Sequence, residues 1–366
     1  MKPIRVGIIG QGRSGRDIHG VYLVVDPRFK IVAVADALAD RCARAVQEYG
    51  CEAHADASEL IARRDLDLVV NCSYSYQHAP LTIEALRAGH HVLCDKPFAP
   101  TVRDVDRMIA AARRAGKVLA VFQQSRYCPY FVELQRVIRS GVLGRIVQIS
   151  VAFSGFSRRW DWQTLREFRG GNLLNTGPHP LDQALKLFGD GMPDVWCRMD
   201  RTQEGTWGNA ENHVKIMLSG KGHPTIDLEI SSCCAYPPSL YRVYGTRGGL
   251  TATSNTVEWR WFKPSAAPRQ RLIRAPLAKP DGTPAYCGET LPWQTGKWPA
   301  DAATAPAKTG YVPGAPGADT TGSLYSMLYR TLTRGTPLEI TPEQVRRQIA
   351  VIEACQRQNP AIYPRS

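Results

Sequence analysis

The stretch Gly10-Gln11-Gly12-Arg13-Ser14-Gly15 decides the fold of this chain. It follows the apolar, β-branched run Ile4 to Ile9 and precedes a segment with helical periodicity. We interpret this order as a buried parallel strand, a sharp turn and a helix. In such a turn Gly10 permits the bend, Gly12 lets the backbone approach a pyrophosphate, and Gly15 lets the helix pack closely on the strand. Free N–H groups at the start of the helix then favour phosphate oxygens.

A second apolar run, from Ile31 to Ala35, ends at Asp36, about twenty residues after the last glycine of the turn. A carboxylate at this position accepts hydrogen bonds from the ribose of an adenosine and repels a 2′-phosphate. We therefore predict NAD as the cofactor in preference to NADP. Arg13 and Arg41 oppose this interpretation, because a nearby arginine accepts a 2′-phosphate. A structural turn that binds no ligand is the alternative.

Composition excludes several classes of protein. The 366 residues carry a formal net charge of +13, but the arginines are spread along the chain, without a dense basic run. We therefore expect an anionic cofactor or small-molecule substrate and no nucleic-acid partner. The ten cysteines contain no CxxC pair, which predicts no metal site and a reducing compartment. No apolar run is long enough for a membrane span and no leader precedes the first strand, so we expect a cytoplasmic protein.

The hydrophobic pattern changes partway along the chain. Strand and helix patterns alternate through the first part, which predicts a parallel sheet with right-handed crossovers in a dinucleotide-binding domain, 1–123. The remainder, 124–366, is predicted as a second α/β domain. Apolar residues there alternate as in the strands of a large, mainly antiparallel sheet, around 147–153, 214–218, 226–230, 241–244 and 256–262. Residues 263–322, rich in proline, alanine and glycine, are predicted to form a functional excursion or a flexible arm.

Ligand-binding groups of parallel α/β sheets come from the loops at the carboxyl ends of the strands. This rule nominates Ser73 and His78 in one loop, Asp95-Lys96-Pro97 in the next, and the segment from Gln123 to Arg126. Lys96 stands between a buried strand and a proline, where partial burial lowers the pKa of an ammonium group that polarises a substrate oxygen. The structural alternative is a lysine that pairs with Asp95 or reaches water.

A second glycine-rich stretch, from Gly170 to Asp182, leads into a helix that begins near His179. A helix N-terminus disfavours imidazolium, which suits a neutral histidine acting as a base. An ordinary surface histidine in a capping segment is the alternative interpretation.

In these stretches the chain resembles the Gfo/Idh/MocA oxidoreductase family, which includes glucose–fructose oxidoreductase and inositol dehydrogenases. The segment from Ala88 to Pro97 is similar to the family signature AGKHVLCEKP, and the segment from Gly170 to Asp182 is similar to GGGxLxDxGxHxxD. His19 and the segment from Tyr244 to Gly249 extend the resemblance. It implies an N-terminal Rossmann domain and a C-terminal α/β domain whose sheet forms homodimers or homotetramers.

The resemblance also implies roles for individual residues. Lys96 would hold the substrate oxygen and His179 would take its proton, with Asn175 as the third member of the catalytic set. Substrate contacts would come from Arg126, Trp160, Asn175 and His179, with the Arg158-Arg159 pair suited to a carboxylate or phosphate. The residues expected to bind the cofactor are Gly10, Gly12, Arg13, Ser14, Gly15, Asp36, Arg41, Ser73, His78, Asp95, Lys96 and Gln124.

The sequence departs from the family pattern at Asn175, where the family usually carries an aspartate. An amide keeps the shape of the side chain but has no charge to stabilise a protonated His179. We therefore predict an oxidoreductase that transfers hydride from a secondary alcohol of a sugar, polyol or related cyclic substrate to nicotinamide. Two alternatives stay open, a redox-neutral NAD-dependent enzyme of the glycosidase type and a nucleotide-binding sensor whose active site has decayed.

Overall fold

A computed structural model describes residues 2–202, 204, 207–299 and 320–364. The first part of the chain forms a six-stranded, fully parallel sheet with the strand order β3-β2-β1-β4-β5-β6. Its strands are β1 (Ile4–Ile9), β2 (Phe29–Ala35), β3 (Glu52–His54), β4 (Leu68–Asn71), β5 (His91–Cys94) and β6 (Leu119–Val121). The reversal of strand order beside β1 places a crevice at the carboxyl ends of β1 and β4, where such folds bind nucleotides.

Helices cover both faces of this Rossmann sheet, which explains why strands such as β4 are buried along their whole length. The first helix, α1, begins as the wide turn Gly15–Gly20 and continues as Val21–Leu23. The others are α2 (Ala39–Tyr49), α3 (Ala57–Ile61), α4 (His78–Arg87) and α5 (Val102–Ala115).

The second part of the chain forms an eight-stranded sheet with the order β14-β13-β12-β11-β7-β10-β9-β8. Its strands are β7 (Ile146–Ser154), β8 (Asp194–Asp200), β9 (His213–Ser219), β10 (Thr225–Ser231), β11 (Tyr241–Gly245), β12 (Gly248–Ala252), β13 (Val257–Trp261) and β14 (Gln294–Trp298). The pairing of β7 with β10 is parallel and the other pairings are antiparallel. The predicted α/β fold with a large, mainly antiparallel sheet is therefore confirmed.

One face of the second sheet is covered by helices, and its inward residues alternate with half-exposed ones, as Val214, Ile216 and Leu218 do in β9. The helices on that face are α6 (Pro129–Arg139), α7 (Asn172–Asn175), α8 (Pro178–Phe188) and α10 (Pro342–Arg357). The remaining helix, α9 (Thr320–Arg334), packs against the first part of the chain, where Tyr325 contacts Tyr22 and Phe29. Within the described parts of the chain, no helix has the length and apolar character of a membrane span.

The segment predicted as an excursion, 263–322, contains regular structure at its ends. Its strand β14 extends the sheet by pairing with β13, and α9 begins at Thr320. The sequence pattern did not indicate β14, because Gln294 and Lys297 and a central glycine break the apolar alternation of this edge strand. Residues 300–319, which this prediction also included, lie outside the described residues.

A buried ion pair connects the two parts of the chain next to the crevice. Arg126, in a short helical turn after β6, donates from Nε to Asp182 Oδ2 at 2.6 Å and from Nη2 to Asp182 Oδ1 at 2.7 Å. The side chains are 10% and 2% exposed, and Arg126 also donates to the Gln344 side chain of α10. Two parallel hydrogen bonds between charged groups fix the angle between α8 and the end of the Rossmann sheet.

We predict that Asp182→Ala lowers the free energy of unfolding by about 3–5 kcal/mol, because it leaves the Arg126 guanidinium buried without its counter-charge. Urea denaturation followed by circular dichroism measures this loss. The matched control is Asp106→Ala, which removes the exposed ion pair with Arg346 and should cost less than about 1 kcal/mol. Equal losses in both variants would contradict the role given to the Arg126–Asp182 pair.

Candidate active site

The glycine-rich turn is packed so tightly that two of its positions exclude any side chain. Gly10 has a φ of +88°, and a Cβ atom there would overlap the backbone carbonyl of Cys72 at the end of β4. A Cβ atom on Gly15 would overlap the carbonyl oxygen of Gly10. The helix α1 therefore begins directly against the strand ends, as the sequence predicts.

The outer side of the turn is open and lined by unused donors. Gly12, Arg13 and Ser14 lead into the helix, and backbone N–H groups at the start of a helix have no acceptor within it. A Cβ atom on Gly12 would meet only Arg41 Nη1, at 3.6 Å. Three convergent N–H groups over an open space at a helix N-terminus fit a pyrophosphate.

Asp36 lies directly below this turn. Its carboxylate accepts hydrogen bonds from the Gln11 N–H at 2.7 Å and from the Leu38 N–H at 3.0 Å. Arg41 Nη1 lies 3.4 Å from Asp36 Oδ2. The carboxylate that would bind an adenosine ribose and the guanidinium that would accept a 2′-phosphate therefore stand side by side, so geometry alone does not separate NAD from NADP.

The loops after β4 and β5 are tied to each other and to the glycine turn. Ser14 donates its hydroxyl to the buried Asp95 carboxylate, which also accepts the Lys96 N–H at 2.7 Å. Burial raises the pKa of Asp95, but the neighbouring His19 and Lys96 and the hydrogen bond from Ser14 outweigh burial and bring this pKa below its ordinary value. Asp95 thus supplies a carboxylate beneath the predicted cofactor site.

His78 and Ser73 contribute to the same edge of the sheet, but their polar atoms are used within the protein. The ring nitrogens of the buried His78 lie 2.7 Å from the Pro97 carbonyl and 3.0 Å from the Ser73 carbonyl. Ser73 Oγ donates to Asn71 Oδ1 at 2.7 Å. These residues hold the two loops together. In the third loop, the buried Oε1 of Gln124 has no partner among the described residues.

Lys96 reaches across to the second part of the chain. Its peptide bond to Pro97 is cis, and its Nζ donates to the backbone carbonyl of Asn175 at 2.8 Å. Burial lowers the pKa of Lys96; Asp95 raises it, whereas the charges of Arg13 and Arg159 lower it further, and the net shift is downward. A destabilised ammonium group is a stronger donor towards an oxygen that gains negative charge.

His179 lies in the first turn of α8, close enough to Lys96 for their charges to interact. Burial lowers the pKa of His179 to about 3, and the Lys96 charge adds to this effect. Its buried Nδ1 atom has no hydrogen-bond partner among the described residues. The imidazole is therefore neutral at physiological pH and retains an unused nitrogen, as a proton acceptor requires.

A small cleft of about 30 Å³ lies next to Asn175, the residue whose carbonyl Lys96 binds, but neither Lys96 nor His179 lines it. It is lined mainly by polar side chains, namely Ser157, Arg159, Gln163, Thr164, Asn172, Asn175, Arg201, Trp207, Glu211 and Asn212. Arg159 belongs to the arginine pair that the sequence nominated as a substrate contact. Its guanidinium donates to the Asp161 carboxylate at 2.6 Å, on the rim of the cleft.

The structure shows the surroundings of three residues that the sequence analysis predicted to contact substrate. The Arg126 guanidinium is occupied by the ion pair with Asp182, so it holds α8 in place and does not face the cleft. Trp160 is 77% exposed and lies outside the cleft lining. Asn175 does line the cleft, but Lys96 binds its backbone carbonyl, and among the described residues the Asn175 side chain has no hydrogen bond to His179.

The sequence analysis missed two features of the site. Tyr74, Tyr76, Trp162 and Phe168 form an aromatic cluster that bridges the loop after β4 and the segment before α7, with Tyr74 and Trp162 ring centroids 5.3 Å apart. Glu211 is a buried acid of the cleft, and no motif precedes or follows it. Its contacts become visible only once the fold brings β9 beside the second glycine-rich stretch.

Ligand atoms of His19, Cys72 and Asp95 also lie within 4.8 Å of one another below Ser14. The Asp95 carboxylate in this group is already used by Ser14 and the Lys96 N–H, and His19 Nδ1 lies 2.7 Å from the Tyr325 hydroxyl. We therefore treat the cluster as the buried support of the cofactor site.

Comparison with known families matches both parts of the chain. Residues 4–123 match the profile described as an oxidoreductase family with an NAD-binding Rossmann fold, and residues 131–251 match the profile of the GFO/IDH/MocA C-terminal domain. Among solved structures, an NAD-binding protein from Listeria innocua is 21% identical with a TM-score of 0.77, covering 98% of this chain and 97% of that one.

Two curated relatives carry named activities. The chain is 30% identical to the myo-inositol 2-dehydrogenase of Thermotoga maritima over 256 residues, which are 68% of this chain and 75% of the relative. It is 26% identical to the 2,7-anhydro-N-acetylneuraminate hydratase of Mediterraneibacter gnavus over 262 residues, which are 68% and 67% of the two chains.

We predict tighter binding of NADH than of NADPH, because the Asp36 carboxylate repels a 2′-phosphate. Titration followed by nicotinamide fluorescence measures both dissociation constants. Asp36→Ala should weaken NADH about tenfold or more, the effect of losing a charge-assisted hydrogen bond, and Arg41→Ala should weaken NADPH more than NADH. The control Asp40→Ala removes an exposed carboxylate next to Arg41 in α2 and should change neither dissociation constant. Tighter NADPH binding by the unaltered protein would contradict this assignment of Asp36.

Proposed function

Because the chain belongs to the Gfo/Idh/MocA oxidoreductase family, we propose that it is a nicotinamide-dependent dehydrogenase of a secondary alcohol on a sugar, polyol or related cyclic compound. The observation that carries this proposal is the buried pair formed by Lys96 and the neutral His179, with Lys96 bound to the carbonyl of Asn175, which lines the cleft. The family relationship supports the cofactor, and the myo-inositol dehydrogenase among the relatives supports the class of substrate.

The residues of the glycine-rich turn and Asp36 fit the cofactor. Gly12, Arg13 and Ser14 would bind the pyrophosphate through their N–H groups, and Asp36 would bind the adenosine ribose. Nicotinamide, when bound, accepts the hydride of the alcohol carbon. We assign it to NAD in preference to NADP, on the strength of the Asp36 carboxylate.

His179 would accept the hydroxyl proton of the substrate. Its imidazole is unprotonated at neutral pH with a free ring nitrogen, and negative charge developing on the substrate beside it would raise its proton affinity as the reaction proceeds. Lys96 has three N–H donors, so it would donate to the substrate oxygen as negative charge develops there while it keeps its hydrogen bond to the Asn175 carbonyl. The Asn175 side chain would orient hydroxyl groups, since it has no charge to share with a protonated histidine.

One relative suggests a second candidate function. The name of the 2,7-anhydro-N-acetylneuraminate hydratase describes a reaction without net oxidation. A redox-neutral reaction in this chain would use the same Lys96 and His179, but it would convert substrate without accumulating NADH.

We predict that Lys96→Met lowers kcat about 10²-fold or more, because the developing charge on the substrate oxygen loses its donor. The NADH dissociation constant should stay within about threefold, because binding energy for the cofactor comes mainly from the glycine turn. The measurement is NADH absorbance with NAD and a panel of cyclic polyols and monosaccharides, with product analysis by mass spectrometry. Lys117→Met is the control, because Lys117 lies at the opposite end of β6.

The product analysis separates the candidates. NADH and ketone in equal amounts support the dehydrogenase, and product without NADH supports the redox-neutral reaction. If the protein binds NADH but converts no compound in either assay, and Lys96→Met binds NADH equally well, the sensor interpretation replaces both.

A further inference from the structure

Helix α7 lies within the second glycine-rich stretch and is held at both ends. It has four residues, so it is about 6 Å long. At its start, the Asn172 N–H donates to the Glu211 backbone carbonyl at 3.0 Å and the Leu173 N–H donates to Glu211 Oε1 at 2.9 Å. At its end, the Asn175 carbonyl accepts the hydrogen bond from Lys96 Nζ at 2.8 Å. A single turn of helix therefore separates Glu211 from Lys96.

The Glu211 side chain is anchored more firmly than a surface cap would be. It is 2% exposed, and its Oε2 accepts the Tyr363 hydroxyl at 2.6 Å. Gly171, with a φ of +105°, allows the carboxylate to approach, because a Cβ atom there would lie 2.5 Å from both carboxylate oxygens. Both oxygens thus have a fixed donor, and the glycine that the sequence motif provides makes room for them.

We propose that Glu211 is a positioning residue for Lys96, acting through α7. The inference rests on the proposed function in one respect, the role of Lys96 as the cation that contacts substrate. The Glu211 carboxylate fixes the first turn of α7, and α7 in turn holds the Asn175 carbonyl that Lys96 binds. Asn175 carries no charge, so the carboxylate of Glu211 supplies negative charge to the cleft from the opposite end of α7.

Glu211 changes its protonation state near neutral pH, where its effect on Lys96 can be measured. Burial raises the pKa of Glu211 to about 7, although the hydrogen bonds from Tyr363 and the Leu173 N–H oppose the rise. The other charged or titratable groups around it are Arg166 and Cys355 on the side of Tyr363, and Arg159 and Arg201 in the cleft. Above pH 7 the carboxylate accepts the Leu173 N–H and holds α7 with the carbonyl that Lys96 binds, and below pH 7 protonation weakens this support.

The test measures Lys96 directly and needs no substrate. The full-length protein is labelled with trace acetic anhydride, which reacts with unprotonated amines, between pH 5.5 and 10, and acetylation of Lys96 is quantified by peptide mass spectrometry. We expect the wild-type profile to show an inflection near pH 7 besides the ionisation of Lys96 itself. Glu211→Gln should remove that inflection and accelerate labelling at pH 8 about threefold, as expected when the hydrogen bond that stabilises the Lys96 ammonium group is weakened.

A second variant, Tyr363→Phe, tests the link between Glu211 and Lys96 independently. It removes a hydrogen bond that lowers the pKa of Glu211, so the inflection should move to higher pH. The exposed Lys30 is the internal reference, and Glu84→Gln is the matched control with an exposed glutamate. Lys96 profiles of Glu211→Gln and Tyr363→Phe that both superimpose on the wild-type profile would overturn the proposal.

Two further results also test the role of Glu211. If Glu211→Gln fails to fold, an unmoved inflection in Tyr363→Phe overturns the proposal and a shifted one supports it. NADH titration of the same samples reports on the cofactor site separately. A protein that binds no NADH yet shows the coupled Lys96 profile would refute the proposed function and leave the role of Glu211 standing.

Discussion

The hydrogen bond from Lys96 to the Asn175 carbonyl is the contact on which the site depends, because it joins the carboxyl edge of the Rossmann sheet to the helices in front of the second sheet. On one side of it, Asp95 and Ser14 connect the lysine to the glycine turn. On the other side, α7 leads to His179 and the cleft. The groups proposed to bind cofactor, move a proton and hold substrate therefore share one hydrogen-bonded path, and each half of the protein supplies part of it.

Features that depend on neighbours in sequence could be predicted, whereas features that depend on distant partners could not. The glycine turn, Asp36 and Lys96-Pro97 follow from local patterns, and the structure brings them to one edge of a parallel sheet. The ion pair of Arg126 could not be predicted, because its partner Asp182 lies 56 residues away and the sequence shows only an arginine in a loop. Glu211 was missed for the same reason, since Leu173 is 38 residues distant. The edge strand β14 lacks the apolar alternation that reveals other strands.

Charge organises the crevice as strongly as shape does. Arg13 and Arg159 are close enough to lower the pKa of Lys96, and Asp95 is the acidic group that opposes them. Such an arrangement is unfavourable for the free protein and becomes favourable when an anion enters, because the cost of crowding like charges is then removed. Burial, with a smaller contribution from the Lys96 charge, keeps His179 neutral. The exchange of an aspartate for Asn175 fits this balance, since Glu211 provides negative charge from a protected position.

The parallel pairing of β7 with β10 gives the chain a definite order of assembly. Every strand of the first sheet lies within residues 4–121. In contrast, β7 stays without its partner β10 until α7, α8, β8 and β9 have all been synthesised, since Gln148 pairs with Thr225. Domains generally fold from the N-terminus as synthesis proceeds. All strands of the first sheet are therefore synthesised before the segment that carries His179, and closure of the second sheet completes the candidate site.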